Sequence, residues 1–232
     1  MKSSFSTQLG LASFWAASSP HSRYWLFAMT ISSCGTRLDD EAVRIGVYLR
    51  LGLTICVPHQ CHCRPSVDAL GLHGFVCKKA PGRPTRHHAL NYLVARATAS
   101  TGIPVSKEPQ GLSHSDGKWP DSLSLILQAG KPLTWDVTVV CLLADSYIAT
   151  ATQEAGSVAE LAADRKSAKY TDLDTCYSVQ LVAVETLVPI SDSAGEFLFK
   201  LGRKISLQWG SDREIQQFNA SSLHGSFAQE ED

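Results

Sequence analysis

The 232-residue chain is 44% hydrophobic and 19% charged, the balance of a folded soluble protein, which excludes a disordered chain and a fibrous repeat. No apolar stretch approaches the roughly 20 residues of a membrane-spanning helix, and the length suffices for one core domain with a small appendage. The net charge of −1 argues against an anionic partner only as an average.

Charge is unevenly distributed. Residues 44–107 carry nine basic side chains against one acidic one, Asp68, while the remainder carries 12 basic and 21 acidic. The +8 segment also holds five of the eight histidines. A split of this kind points to nucleic-acid contact, with a solvated face balanced in space as the plain alternative.

In chain order, residues 1–36 are rich in Ser and small residues, lack acids, and read as a linker or fragment edge. The run Leu9 to Ala17 imitates a signal peptide but is broken by Gly and Ser, so the expected location is nuclear or cytoplasmic, not secreted. Over 37–55 the spacing predicts a helix, with Asp39 as its cap and Ala42, Val43, Val47 and Leu51 on one side. Residues 56–84 are rich in Pro, Cys and His and have no usable periodicity, so something other than a strand or helix pattern must order them.

Four of the seven cysteines fall within 56–77. Clustering of Cys with His suggests a metal site rather than a disulfide framework. Cys61, Cys63, His73 and Cys77 form a Cys-x-Cys-x9-His-x3-Cys arrangement that satisfies a closed tetrahedral Zn²⁺ site. Cys56 or His59 can replace one ligand, and the plain alternative is a buried set of reduced thiols. Gly71 and Gly74 permit the turns a zinc knuckle needs.

A helix is predicted from Thr85 to Ser100, with Leu90, Leu93, Val94 and Ala97 on one side and Gly102 as its stop. Arg86 and His87 at its start suit a phosphate. Asn91, one turn on, is a candidate sugar or backbone contact or else an ordinary surface residue. Lys78, Lys79 and Arg83 complete the basic group expected to bind nucleic acid. Strands follow at Ile103–Lys107, Ser122–Leu127 and Leu133–Cys141, then a helix over Ser157–Leu173, a strand at Val179–Leu187 and a helix over Ala194–Trp209. The order implies an α/β fold, a mixed sheet with helices on its faces.

Pro120-Asp121 opens the second strand and Asp136 lies fifteen positions later, within the third. Antiparallel neighbours can bring these carboxylates side by side, where a hard cation such as Mg²⁺ would relieve their repulsion. An exposed turn Asp is the plain reading of Asp121 alone.

Taken together, Pro-Asp, fourteen residues, Asp136 and the α-β-β-β-α-β order resemble the PD-(D/E)XK restriction-endonuclease-like nucleases. The preceding Cys/His cluster and Arg86-His87-His88-Ala89-Leu90-Asn91 resemble, more specifically, the endonuclease end of non-long-terminal-repeat retroelements, where a zinc knuckle, an Arg-His-Asn motif and the paired acids follow a reverse transcriptase. The resemblance runs from around Trp25 through Arg37-Leu38-Asp39-Asp40-Glu41 to Val184-Glu185-Thr186 and Leu201-Gly202-Arg203.

It implies a small zinc-knuckle segment at 56–84, an endonuclease-like domain over 85–210 and a tail at 211–232. Asp121 and Asp136 would be Mg²⁺ ligands, with Glu108 as a candidate third carboxylate. Thr138 stands where the parent pattern has Lys; relatives carry the lysine on the next helix, where Lys166 and Lys169 are available, and Tyr170 reads as packing. Trp119 stands where relatives place Arg or Lys, and the tail over Arg213–Asn219 is shorter than the family's last helix.

The implied activity is metal-dependent nicking of DNA, with DNA and the element's RNA as partners and no membrane. The alternative is a zinc-stabilised nucleic-acid-binding module whose nuclease site has decayed, and a third option is a structural domain. No Tyr/Phe-x-Asp-Asp motif is present, so the reverse transcriptase expected upstream is absent from this chain, which reads as a piece of something longer.

Overall fold

The structure, a computed structural model, describes residues 2–20, 22, 38–77, 79–80, 82–109, 120–128, 130–171 and 173–209, with the side chains at 2–7, 83, 126–128, 174 and 209 excepted. Residues read as a linker form a helix instead: α1 (Lys2–Ser18) packs on α2 (Asp40–Leu51) and α5 (Ile148–Ala151). The reason is Ala12 and Ala16, both buried. At i,i+4 they give one narrow face that approaches its neighbours closely, a stripe too small to stand out among serines. Helix α2 starts as predicted, with the Ala42 N–H donating to Asp39 Oδ1 at 2.7 Å, and ends at Gly52 in the left-handed region.

The knuckle segment contains only short elements. β1 (His59–Gln60) pairs antiparallel with β2 (Ser66–Val67), and α3 (His73–Val76) follows. Helix α4 (Gly82–Ala99) begins three residues earlier than predicted. Pro84 lies in its first turn, where a missing N–H breaks no intrahelical bond.

Four strands form a sheet in the order β3 (Val105–Lys107), β4 (Ser122–Gln128), β5 (Lys131–Val140), β6 (Ser178–Glu185). The first three are antiparallel neighbours; β6 runs parallel to β5 after a crossover that contains α5 and α6 (Ser157–Ser167). The predicted α-β-β-β-α-β order is thus realised as α4-β3-β4-β5-α6-β6, with α7 (Asp192–Trp209) closing the chain of elements.

Alternation along β5 sorts its two faces. Leu133, Trp135 and Val137 join Val182 and Val184 of β6 in a core with Leu90 and Val94 of α4 and Leu198 and Leu201 of α7. Thr134, Asp136 and Thr138 share the opposite face, on the side where Ala159 and Ala163 of α6 pack with Leu181, Ala183 and Tyr170. A third cluster joins α1, α2, Phe75 of α3, α5 and the end of β5.

Helix α6 lacks a side-chain cap of its own, because Gly156 occupies the cap position. Glu185, at the end of β6 and 2% exposed, takes that role: the Val158 and Ala159 N–H groups donate to its Oε1 at 2.9 and 3.1 Å. Burial without a balancing cation pushes the Glu185 carboxyl up to about 7, against the pull of those N–H groups. Among the described residues, no helix is long and apolar enough to cross a membrane.

Candidate functional site

The β4–β5 register pairs Ser122 with Trp135, so Asp121, one residue before β4, comes opposite Asp136. At that point the ladder ends. The Val137 N–H, which has no further β4 residue to meet, donates to Asp121 Oδ2 at 2.6 Å. From the other side His87, in the first turns of α4, brings Nε2 to 3.2 Å from the same oxygen. One ligand-type atom from each of His87, Asp121 and Asp136 lies within 4.8 Å of the others.

Asp136 has its own partners. Lys166 of α6 donates from Nζ to Asp136 Oδ1 at 2.8 Å and to the Val137 carbonyl at 2.7 Å, and the Tyr170 hydroxyl donates to Asp136 Oδ2 at 2.5 Å. The two acids are driven apart in basicity. Burial raises Asp136 above the ordinary carboxyl value, and the Asp121 charge adds to it, while Lys166 and Tyr170 pull the other way. Burial opposes ionisation at Asp121 too, but His87, the Val137 N–H and Asp136 outweigh it, so Asp121 sits low. His87 is raised in turn by its bond to Asp121, against burial. A divalent cation placed between the two acids would favour the charged form of both.

The predicted residues separate into those that the fold gathers and those that it does not. Asp121, Asp136 and Lys166 converge. Glu108 is exposed and outside the group, meeting Asp121 only through its backbone N–H, which donates to the Asp121 carbonyl at 2.9 Å; the third donor is His87, read from sequence as a phosphate contact. Lys169 is exposed.

Asn91, expected to face a nucleic acid, is buried under the sheet, where its Oδ1 accepts from Ser122 Oγ at 3.2 Å and Trp135 Nε1 at 3.1 Å. That carbonyl ties α4 to both strands beside the acids, a supporting role. Arg86 is also buried, its guanidinium 5.2 Å from the centre of the Phe75 ring. Lys79 is exposed; Lys78, Trp119 and the tail from 210 lie outside the described residues, as does the Arg83 side chain. Tyr170, read as packing, touches the site directly. It does so from the turn that follows α6, where its backbone N–H donates to the Ser167 carbonyl at 2.9 Å.

A second cluster lies in the knuckle. Cys61 and Cys77 sulfurs are 3.8 Å apart, Cys77 and Cys63 3.5 Å, and Cys63 Sγ is 3.0 Å from His73 Nε2. Two thiolates on tetrahedral zinc, each with a bond of about 2.3 Å, stand about 3.8 Å apart, so the sulfur spacing fits that ion, and the sulfur–nitrogen contact is shorter than such a site requires. The Lys79 backbone N–H draws Cys77 down to about 6, while burial pushes Cys63 up to about 12. These opposed shifts favour the thiolate at Cys77 over that at Cys63, and a zinc ion would be bound by thiolates. Cys56 stands apart, its thiol donating to the Asp68 carbonyl at 3.3 Å.

The chain matches no protein-family model and no curated protein. What stands is a mixed α/β protein with a Cys3His cluster suited to zinc and a buried His/Asp/Asp group suited to a metal.

Proposed function

We propose that this chain is a metal-dependent DNA endonuclease domain of retroelement origin, with a structural zinc in its knuckle. One observation carries the reading: the β4–β5 register sets Asp121 against Asp136 while Lys166 reaches Asp136 from the next helix, in the place left open by Thr138. Asp121, Asp136 and His87 would hold the cation, the two carboxylates suiting Mg²⁺ and the imidazole widening the choice to Mn²⁺. Bound there, the ion supplies charge for a phosphate and acidity for water. Lys166 supplies a positive charge beside the reacting phosphate and positions Asp136, and Tyr170 fixes the rotamer of the same carboxylate. Cys61, Cys63, His73 and Cys77 would hold the zinc.

The test is nicking of supercoiled plasmid with Mg²⁺ or Mn²⁺. Wild type is expected to cut at least about 100-fold faster than Asp121→Ala, the scale of a lost electrostatic anchor; equal rates remove the enzyme reading. Metal analysis should return one zinc per chain, and well under one equivalent removes the knuckle assignment.

The second reading, a nucleic-acid-binding module with an inactive site, is favoured by one feature. Both oxygens of Asp136 are already engaged, by Lys166 and Tyr170. Salt-sensitive DNA binding without cutting is its signature.

A further inference from the structure

Beside the acid pair lies a cleft of 410 Å³ between α3, the start of α4, the second half of β5 and α6. Among the described residues three cationic side chains line it, Arg86, Arg165 and Lys166, the last already paired with Asp136, and no aspartate or glutamate does. Both guanidinium groups rest on aromatic rings: Arg86 on Phe75 at 5.2 Å, and Arg165 on Tyr147 at 5.4 Å, whose hydroxyl it also meets at 3.1 Å. A ring face holds a guanidinium in place and leaves its charge intact, and the exposed Arg165 can present that charge to an oxyanion. Ser146 and Thr138 add hydroxyl donors on the same wall.

Thr138 connects the cleft to the acids, because it stands two residues beyond Asp136 on the same face of β5, and Lys166 belongs to both. A cleft with two guanidinium groups, two hydroxyls and, among the described residues, no acid, abutting a candidate metal group, suits a tetrahedral dianion or a diester phosphate better than a neutral ligand.

We propose that this cleft binds a phosphodiester of a nucleic-acid strand, adjacent to the phosphate that meets Asp121 and Asp136, with Arg165 and Arg86 as its principal contacts. The assignment to a strand rests on the endonuclease reading; the anion site itself does not. Through Phe75, which is a knuckle residue, the zinc segment sets where Arg86 stands, so the knuckle acts on this phosphate from behind rather than by touching the strand.

The experiment measures anisotropy of a labelled 20-base-pair duplex with the full chain in Mg²⁺-free buffer, over a range of salt. Arg165 is exposed, so Arg165→Ala is expected to keep the wild-type melting curve. It should weaken binding about 5- to 10-fold and make the log K against log salt slope shallower by about one, the mark of a lost phosphate contact. Lys200→Ala, on the exposed face of α7, should change neither. If Arg165→Ala keeps both the affinity and the slope of wild type, the proposal is overturned. Calorimetry with inorganic phosphate separates the sources: phosphate binding lost in Arg165→Ala with duplex binding untouched overturns the strand assignment. Failure of nicking leaves these binding results standing, and failure of the binding results leaves nicking standing.

Discussion

The two ligand clusters of this protein are built in opposite ways. Cys61, Cys63, His73 and Cys77 come from seventeen consecutive residues, the first two between a pair of two-residue strands, His73 opening a four-residue helix and Cys77 just past its end, with Val67, Phe75 and Cys77 as the buried apolar side chains nearby. His87, Asp121 and Asp136 come from α4, the approach to β4 and the middle of β5, and each is held by bonds that exist apart from any ion: His87 to Asp121, Asp121 to the Val137 N–H, Asp136 to Lys166 and Tyr170. A local cluster with little core relies on its metal for order, whereas a cluster at the end of a sheet inherits order from the register of the strands. A metal bound at the first would therefore act as a folding ligand, and one bound at the second as an exchangeable ligand.

Chelation breaks the comparison most forcefully. Structural zinc contributes on the order of 10 kcal/mol to small metal-dependent folds. Removing it should open residues 53–80 to limited proteolysis while β4 and β5 stay protected. Simultaneous loss of protection in both regions contradicts the division.

Smaller effects sharpen the sheet side. Tyr170→Phe deletes a hydrogen bond to a carboxylate and is expected to cost about 1.5–3 kcal/mol in denaturant unfolding, with zinc content unchanged. Asn91→Ala leaves the Trp135 indole N–H and the Ser122 hydroxyl without their buried acceptor, a loss of about 1–3 kcal/mol read as a lower thermal midpoint, again with the knuckle intact.

A further effect depends on pH. The Glu185 proton is held more tightly in the folded chain, at about 7, than at the ordinary 4.5. Its favourable contribution is full below 4.5 and is lost as pH rises through about 7. Glu185→Gln, which keeps an oxygen for the two α6 N–H groups, should therefore match wild type in acid and melt above it by a margin that grows from pH 4.5 to 8. A margin that stays flat across that window contradicts the assignment.

Legibility in the sequence follows the same division. The knuckle was readable from spacing, because its ligands are near neighbours. That β4 and β5 are neighbours was readable too, from the turn at Gly130, but the register that sets Asp121 against Asp136 was not, because an irregularity between Ser124 and Leu127 shifts the pairing away from the one the turn alone would set. The partners of His87 and Asn91 depend on how α4 is rotated against the sheet, and Tyr170 meets Asp136 from the turn after α6; helical periodicity gives a buried side but not the partner on it. Helix α1 escaped notice because alanine buries too little to leave a strong pattern.

Asp121 carries a consequence beyond chemistry. Its carboxylate is the last rung of the β4–β5 ladder, standing in for a backbone carbonyl at the Val137 N–H. An acceptor is needed there whatever the chemistry of the site, and an asparagine carbonyl can supply one. Asp121 therefore closes the sheet as well as joining the candidate metal group. Lys166, whose positive charge a neutral hydrogen-bond donor does not replace, is the sharper probe of the site's chemistry.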